Sequence, residues 1–121
     1  MDTAASAPWA RYMARPGRAA CVISDLDDLH GPAEGVVMLP LRLYWSGPQP
    51  SYSLDDPWGR QRIYEIVLRE SMTAEELAAH LRKDYLIEVW QRLFLPKGVR
   101  RAWEERHPVL AAARTAATAV A

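Results

Sequence analysis

The stretch Leu43-Tyr44-Trp45-Ser46-Gly47-Pro48, continuing to Ser53-Leu54-Asp55-Asp56-Pro57-Trp58, divides this chain into two structural regimes. Two large aromatics end an apolar run, and a loop rich in glycine and proline follows. Asp56-Pro57 then opens a helix, with an N-capping carboxylate and a proline at the first helical position. Apolar residues before this point follow strand-like patterns, and after it they recur at helical spacing.

On the strand side, residues 19–25 contain the β-branched pair Val22 and Ile23, and residues 36–45 form a strongly apolar run. The connection between them, residues 26–35, is rich in Asp, Gly and Pro. Together they predict a long-looped β-hairpin. Pro40 has no N–H for a ladder, so the second strand lies at an edge or bends there. A two-stranded hairpin is marginal alone, and its apolar face must pack on the helices that follow.

On the helical side, Gln61, Arg62, Glu65 and Arg69 fall on one arc of the first helix, and Ile63, Tyr64, Ile66, Val67 and Leu68 fill the rest. Trp58 projects near the polar arc, free to cover the preceding loop. Thr73-Ala74-Glu75-Glu76 reads as a capping box for a second helix, with Ala74, Leu77, Ala78 and Leu81 inward. Asp84 is expected to cap a third, with the stripe Leu86, Val89, Trp90 and Leu93. A fourth, residues 96–106, turns Val99, Ala102 and Trp103 to one side. Residues 109–121 form an alanine-rich tail of high helical propensity with little to bury, expected to fray unless a partner holds it. The expected fold is α+β: an N-terminal long-looped β-hairpin packed against a small C-terminal bundle of about four helices. Residues 1–18 would be a flexible arm, 19–108 a single globular domain and 109–121 the tail.

Length and composition suit one small soluble domain, since half of the 121 residues are hydrophobic. Fifteen basic and fifteen acidic residues leave no net charge, so global electrostatics give no pull toward nucleic acid or anionic membranes. The single cysteine, Cys21, cannot form an intrachain disulfide, and its apolar surroundings read as a buried small hydrophobe. No basic segment followed by an apolar stretch marks a signal peptide, and no run approaches a membrane span. A cytoplasmic protein without a membrane partner is expected.

Candidate chemistry is sparse. Asp25, Asp27, Asp28 and His30 are the densest set of potential hard-cation ligands, but the glycine and distal glutamate of a calcium loop are missing. A solvated turn is the simpler reading. His80 reads as a solvated helix residue and His107 as a helix end. Neither has a nucleophile or carboxylate arranged around it. No catalytic residue, metal site or cofactor is expected. Lys97, Arg100, Arg101 and Arg106 form a basic stripe on the fourth helix, a candidate nucleic-acid surface partly offset by Glu104 and Glu105. A helix-turn-helix over the second and third helices fits poorly, because Arg82-Lys83-Asp84 stands where glycine and an apolar residue are usual. Trp45, Trp58, Trp90 and Trp103 read mostly as core or loop packing. Tyr52 and Trp58 are the candidate partner-binding residues, since aromatics are enriched at interface hot spots.

Leu29-His30-Gly31-Pro32, Leu39-Pro40, Leu43-Tyr44-Trp45-Ser46-Gly47, Leu54-Asp55-Asp56-Pro57, Tyr64-Glu65-Ile66-Val67-Leu68-Arg69-Glu70, and Leu95-Pro96 through Trp103 to His107-Pro108 together resemble a group of short actinobacterial proteins, over roughly residues 19–111. The resemblance implies a partner role at a toxin–antitoxin or defence locus, beside a nucleotidyltransferase-type abortive-infection toxin, and carries no catalytic residue. Ser71 departs from the glycine expected to close the first helix, where serine would disfavour a left-handed cap by ~1 kcal/mol. The leading expectation is a non-enzymatic protein-interaction module, an antitoxin or accessory partner. The alternative is a small DNA-binding transcriptional regulator. Another protein is the expected partner, with nucleic acid and a homodimer as further options. A small enzyme using the residue 25–30 cluster is the third class.

Overall fold

The computed structural model describes residues 13–15, 18–40, 43 and 51–120. Among these residues, two short antiparallel ribbons precede five α-helices. β1 (Met13–Arg15) pairs with β2 (Arg18–Ala19), and β3 (Val36–Met38) pairs with β4 (Ser51–Ser53). The helices are α1 (Pro57–Glu70), α2 (Ala74–His80), α3 (Lys83–Val89), α4 (Lys97–Arg106) and α5 (Pro108–Val120). The chain is thus α+β, a long-looped hairpin packed on a C-terminal helical bundle. Residues 1–12, 16–17, 41–42, 44–50 and 121 lie outside the described residues, and with them most of the expected arm and the Tyr44–Trp45 aromatic pair.

The expected pairing of residues 19–25 with 36–45 is not the one formed. β3 instead takes β4 as its neighbour, in the register Val36↔Ser53, Val37↔Tyr52 and Met38↔Ser51. Hydrogen bonding explains the difference. The N–H groups of His30 and Gly31 donate to Ala78 O at 2.9 Å and Leu81 O at 2.8 Å, two carbonyls at the C-terminal end of α2 that the helix itself leaves unsatisfied. This draws the residue 26–35 connection onto the bundle. Gly35, at φ 88°, then sets the backbone leading into β3, and its carbonyl accepts from Leu54 N–H at 2.8 Å. The 36–45 strand is also shorter than expected, ending before Leu39-Pro40.

The helices start where the capping residues say they should. Asp56 accepts from Gly59 N–H at 3.1 Å, with Pro57 at the first helical position. Thr73 Oγ1 accepts from Glu76 N–H at 3.2 Å, while Glu76 Oε1 takes the Met72 N–H at 2.8 Å, one residue before the amide a regular capping box would reach. α4 opens from Pro96 without a side-chain cap, and α3 departs from the expected start. It opens from Arg82, without a side-chain cap, and Asp84 accepts instead from Tyr85 N–H and from the Arg82 guanidinium. Ser71 closes α1 in extended geometry at φ −64° and ψ 140°, so the anticipated left-handed strain does not arise.

One core joins both halves. Leu26, Leu39, Leu54, Ile63, Tyr64, Ile66, Leu77, Leu86, Trp90, Val99 and Trp103 are buried within it. Leu110 is buried as well, because α5 packs against α3 and α4. The alanine-rich tail therefore has one anchor near its start, while Val109, Ala112, Arg114 and Thr115 are exposed.

Candidate functional site

Tyr52 and Trp58 come together at the corner where β4 runs into α1. Their rings meet edge to face, with centroids 5.6 Å apart at 64°. Tyr52 is half-buried on the inner face of the ribbon beside Val37, and Trp58 stands 62 % exposed on the first turn of α1. Gly59 allows the corner to close: a Cβ there would lie 2.4 Å from Ser53 O. Val36 and Met38 project from the outer face of β3 and are exposed. The corner thus presents Trp58 and the edge of Tyr52 on a backbone fixed by an N-cap, a hairpin and a tight helix–strand contact, while Val36 and Met38 lie on the opposite face of the ribbon.

A second exposed aromatic among the described residues was missed from sequence. Phe94, 79 % exposed, follows the 3-10 turn Trp90–Arg92. Its backbone is held from two sides. Buried Glu65 accepts from Phe94 N–H at 2.9 Å and from Gln61 Nε2 at 3.0 Å, and Gln61 Nε2 also donates to Arg92 O at 3.1 Å. From α4, Arg100 donates to Trp90 O at 3.3 Å and Leu93 O at 2.6 Å. Phe94 offered no periodic signal, since it sits in a loop between two helices. The one available hint was the polar arc containing Gln61 and Glu65, which here serves a neighbouring loop.

The basic stripe divides. Lys97, Arg100 and Arg101 line a shallow groove between α4 and α5, together with Glu104, Glu105 and Arg114, while Arg106 lies beside Asp25 and Lys83 at a separate depression. Arg100 faces inward: besides the two carbonyls, its guanidinium lies 5.1 Å from the Trp90 ring, and burial pulls its pKa down from the ordinary arginine value. Its role in the fold is to satisfy the carbonyls where α3 ends. Glu104 is the hub of the groove. It accepts from Trp90 Nε1 at 2.9 Å and from Arg114 at 2.7 and 3.0 Å, and it lies 3.7 Å from Arg100.

Burial pushes the Glu104 carboxyl upward, but the Arg114 and Trp90 donors and the charge of Arg100 outweigh it, and its pKa lies below the ordinary 4.5. A carboxyl whose folded value is lower than its unfolded value favours folding once ionised. That stabilisation is present above about pH 4.5 and lost as pH falls through the lowered folded value. Glu104→Gln should therefore be less stable than the parent at pH 7, with the gap in urea midpoint shrinking toward pH 3. A gap that stays constant with pH would show that ionisation of Glu104 does not matter.

Several of the remaining candidate residues are engaged by the fold. Asp25 Oδ1 accepts from Asp27 N–H at 2.9 Å and caps the 3-10 turn Leu26–Asp28, and Asp27 pairs with Lys83 at 2.8 Å. Among the described residues no group of three His, Cys, Asp or Glu side chains is placed to hold a metal ion. His80 Nδ1 lies 2.8 Å from Glu76 O, within its own helix. His107 is buried, and its Nε2–H donates to Ile23 O at 2.7 Å, fastening α4 to the segment that follows β2. Burial, with Glu76 and then Glu75 nearby, raises the Cys21 thiol, which keeps it protonated and disfavours nucleophilic chemistry. No helix in the described residues is long and apolar enough to cross a membrane.

Comparison with protein-family models, with curated proteins and with solved structures found no match for this chain.

Proposed function

We propose that this chain is a non-enzymatic protein-interaction module whose partner surface is the Tyr52–Trp58 corner, and that it serves as the antitoxin or accessory half of a two-gene defence cassette. The observation that carries the reading is the exposure of Trp58 on a rigid support. Leaving an indole in water forgoes roughly 25 cal/mol for each Å² that could have been buried, a cost that a partner surface recovers on binding. The helix N-cap and the Gly59–Ser53 contact fix the direction of the side chain, so little conformational freedom is lost on docking. Tyr52 widens the same corner through its edge-to-face contact with Trp58. The defence-cassette part of the reading rests on the sequence resemblance.

The DNA-binding alternative has weaker support. Arg100 is committed to two main-chain carbonyls, and the groove that holds Lys97 and Arg101 also holds Glu104 and Glu105. Two carboxylates in a phosphate-binding groove oppose counterion release.

The test is affinity capture from lysate of the source organism after nuclease treatment, with the parent chain and Trp58→Ser side by side. The substitution is at an exposed site and costs the edge-to-face contact with Tyr52, so it should lower stability by no more than about 1.5 kcal/mol. A stoichiometric protein captured by the parent and lost by the folded variant is the expected result. Equal capture by both would overturn the Trp58 surface. Loss of the companion on nuclease treatment would favour the DNA-binding reading.

A further inference from the structure

Trp58, Gln61, Arg62 and Glu65 share one arc of α1 at 100° per residue. Because Gln61 and Glu65 hold the backbone of Arg92 and Phe94, the Phe94 loop lies on that same arc. Trp58 and Glu65 are seven residues apart, so the two exposed aromatics stand about 10 Å from one another along the helix at 1.5 Å per residue. Arg62 lies between them, 3.4 Å from the Glu65 carboxylate, which offsets its charge.

The charges flanking this face are not evenly distributed. Asp55, exposed, immediately precedes the turn that carries Trp58, whereas Arg92 and Lys97, both exposed, flank Phe94. One end is acidic and aromatic, and the other is basic and aromatic. A two-fold axis across the middle of the arc would place the acidic end of one copy on the basic end of the other, and would do so twice. Trp58 would meet Phe94 at both ends, with Asp55 opposite Arg92.

We propose that the Trp58–Phe94 face of α1 pairs antiparallel with a second copy of this chain. This rests on the reading of Trp58 as part of an interaction surface, and it names one occupant of that surface. Each aromatic offers roughly 150–250 Å² in total, against about 800 Å² per partner in a standard interface. The two aromatics together supply about 300–500 Å² at most, roughly 40–60 % of such an interface, so the dimer is weak and its population rises with concentration across the micromolar to millimolar range.

Charge reversal gives a test that simple disruption cannot. Sedimentation velocity on the parent chain should show the mass moving from 13.7 kDa toward twice that value as concentration rises. Asp55→Lys alone places like charges against Arg92, and Arg92→Glu alone places like charges against Asp55, so each variant should stay monomeric. An equimolar mixture restores opposite charges at both contacts and should recover the dimer, as should one chain carrying both substitutions. Both positions are exposed, and unchanged circular dichroism confirms folding. A parent chain that remains monomeric at the highest concentration overturns the proposal, as do single variants that dimerise like the parent. A monomeric parent that still captures a protein through Trp58 overturns the dimer alone and leaves the interaction module intact.

Discussion

Trp90→Ala is expected to lower the unfolding free energy by about 3–5 kcal/mol, the range for removing a large aromatic from a packed core. Small domains have only about 5–15 kcal/mol in total, so this one side chain decides whether the chain is folded under ordinary conditions. Trp90 is fully buried, and its ring lies 6.5 Å from that of Trp103, tilted by 46°. Its Nε1 donates to Glu104, and its carbonyl accepts from Arg100. The alanine variant therefore opens a cavity between α3, α4 and α5 and removes one of the donors that hold Glu104. Trp90→Phe separates the two effects. It keeps most of the apolar volume, loses the indole donor and should cost only about 1–2 kcal/mol. Urea unfolding followed by far-ultraviolet circular dichroism reads both. A loss below about 1.5 kcal/mol for the alanine variant would mean that the site collapses around the gap and that Trp90 is not a keystone of the bundle.

Gly31→Ala is expected to be nearly as damaging, at about 3 kcal/mol, although it adds a single methyl group. A Cβ at Gly31 would sit 2.4 Å from His80 C, 2.6 Å from His80 O and 2.7 Å from Leu81 N. All three are backbone atoms at the end of α2, which cannot swing aside as a flexible side chain would. Relief requires the loop to lift from α2. That would break the His30–Ala78 and Gly31–Leu81 hydrogen bonds, and with them the attachment that directs the chain toward β3. Amide exchange makes the prediction specific. The His30 and Gly31 amides should be protected in the parent and exchange early in the variant, ahead of the α1 core. Parent-like protection of both amides together with parent-like stability would show that the loop accommodates the methyl in place.

Much of the helical half was legible because its signals are local. Asp56-Pro57 and Thr73 fix helix starts through bonds made within four residues, and the stripes Leu86, Val89, Trp90, Leu93 and Val99, Ala102, Trp103 follow the helical period. The candidate partner residues Tyr52 and Trp58 were visible as aromatics flanking a turn. Their edge-to-face contact was not, because it depends on how closely Gly59 lets α1 approach Ser53. Phe94 escaped notice altogether, since its display is arranged by Glu65, twenty-nine residues away. The basic stripe shows how one helix face divides in the folded chain. Four cations on one helix looked equivalent, yet Arg100 turns inward to the carbonyls of Trp90 and Leu93 while Arg106 lies at a different depression.

The sequence by itself determined where the chain turns helical, where α1 and α2 are capped and which stripes of α3 and α4 are buried, because each of these is decided by residues within a turn or two of one another. Only the tertiary structure decided that β3 pairs with β4, that the alanine-rich tail docks through Leu110, and which polar side chains are spent on holding loops. Those outcomes turn on which distant groups satisfy unpaired backbone N–H and carbonyl groups and on how closely small residues let elements approach. Neither is written in the local pattern.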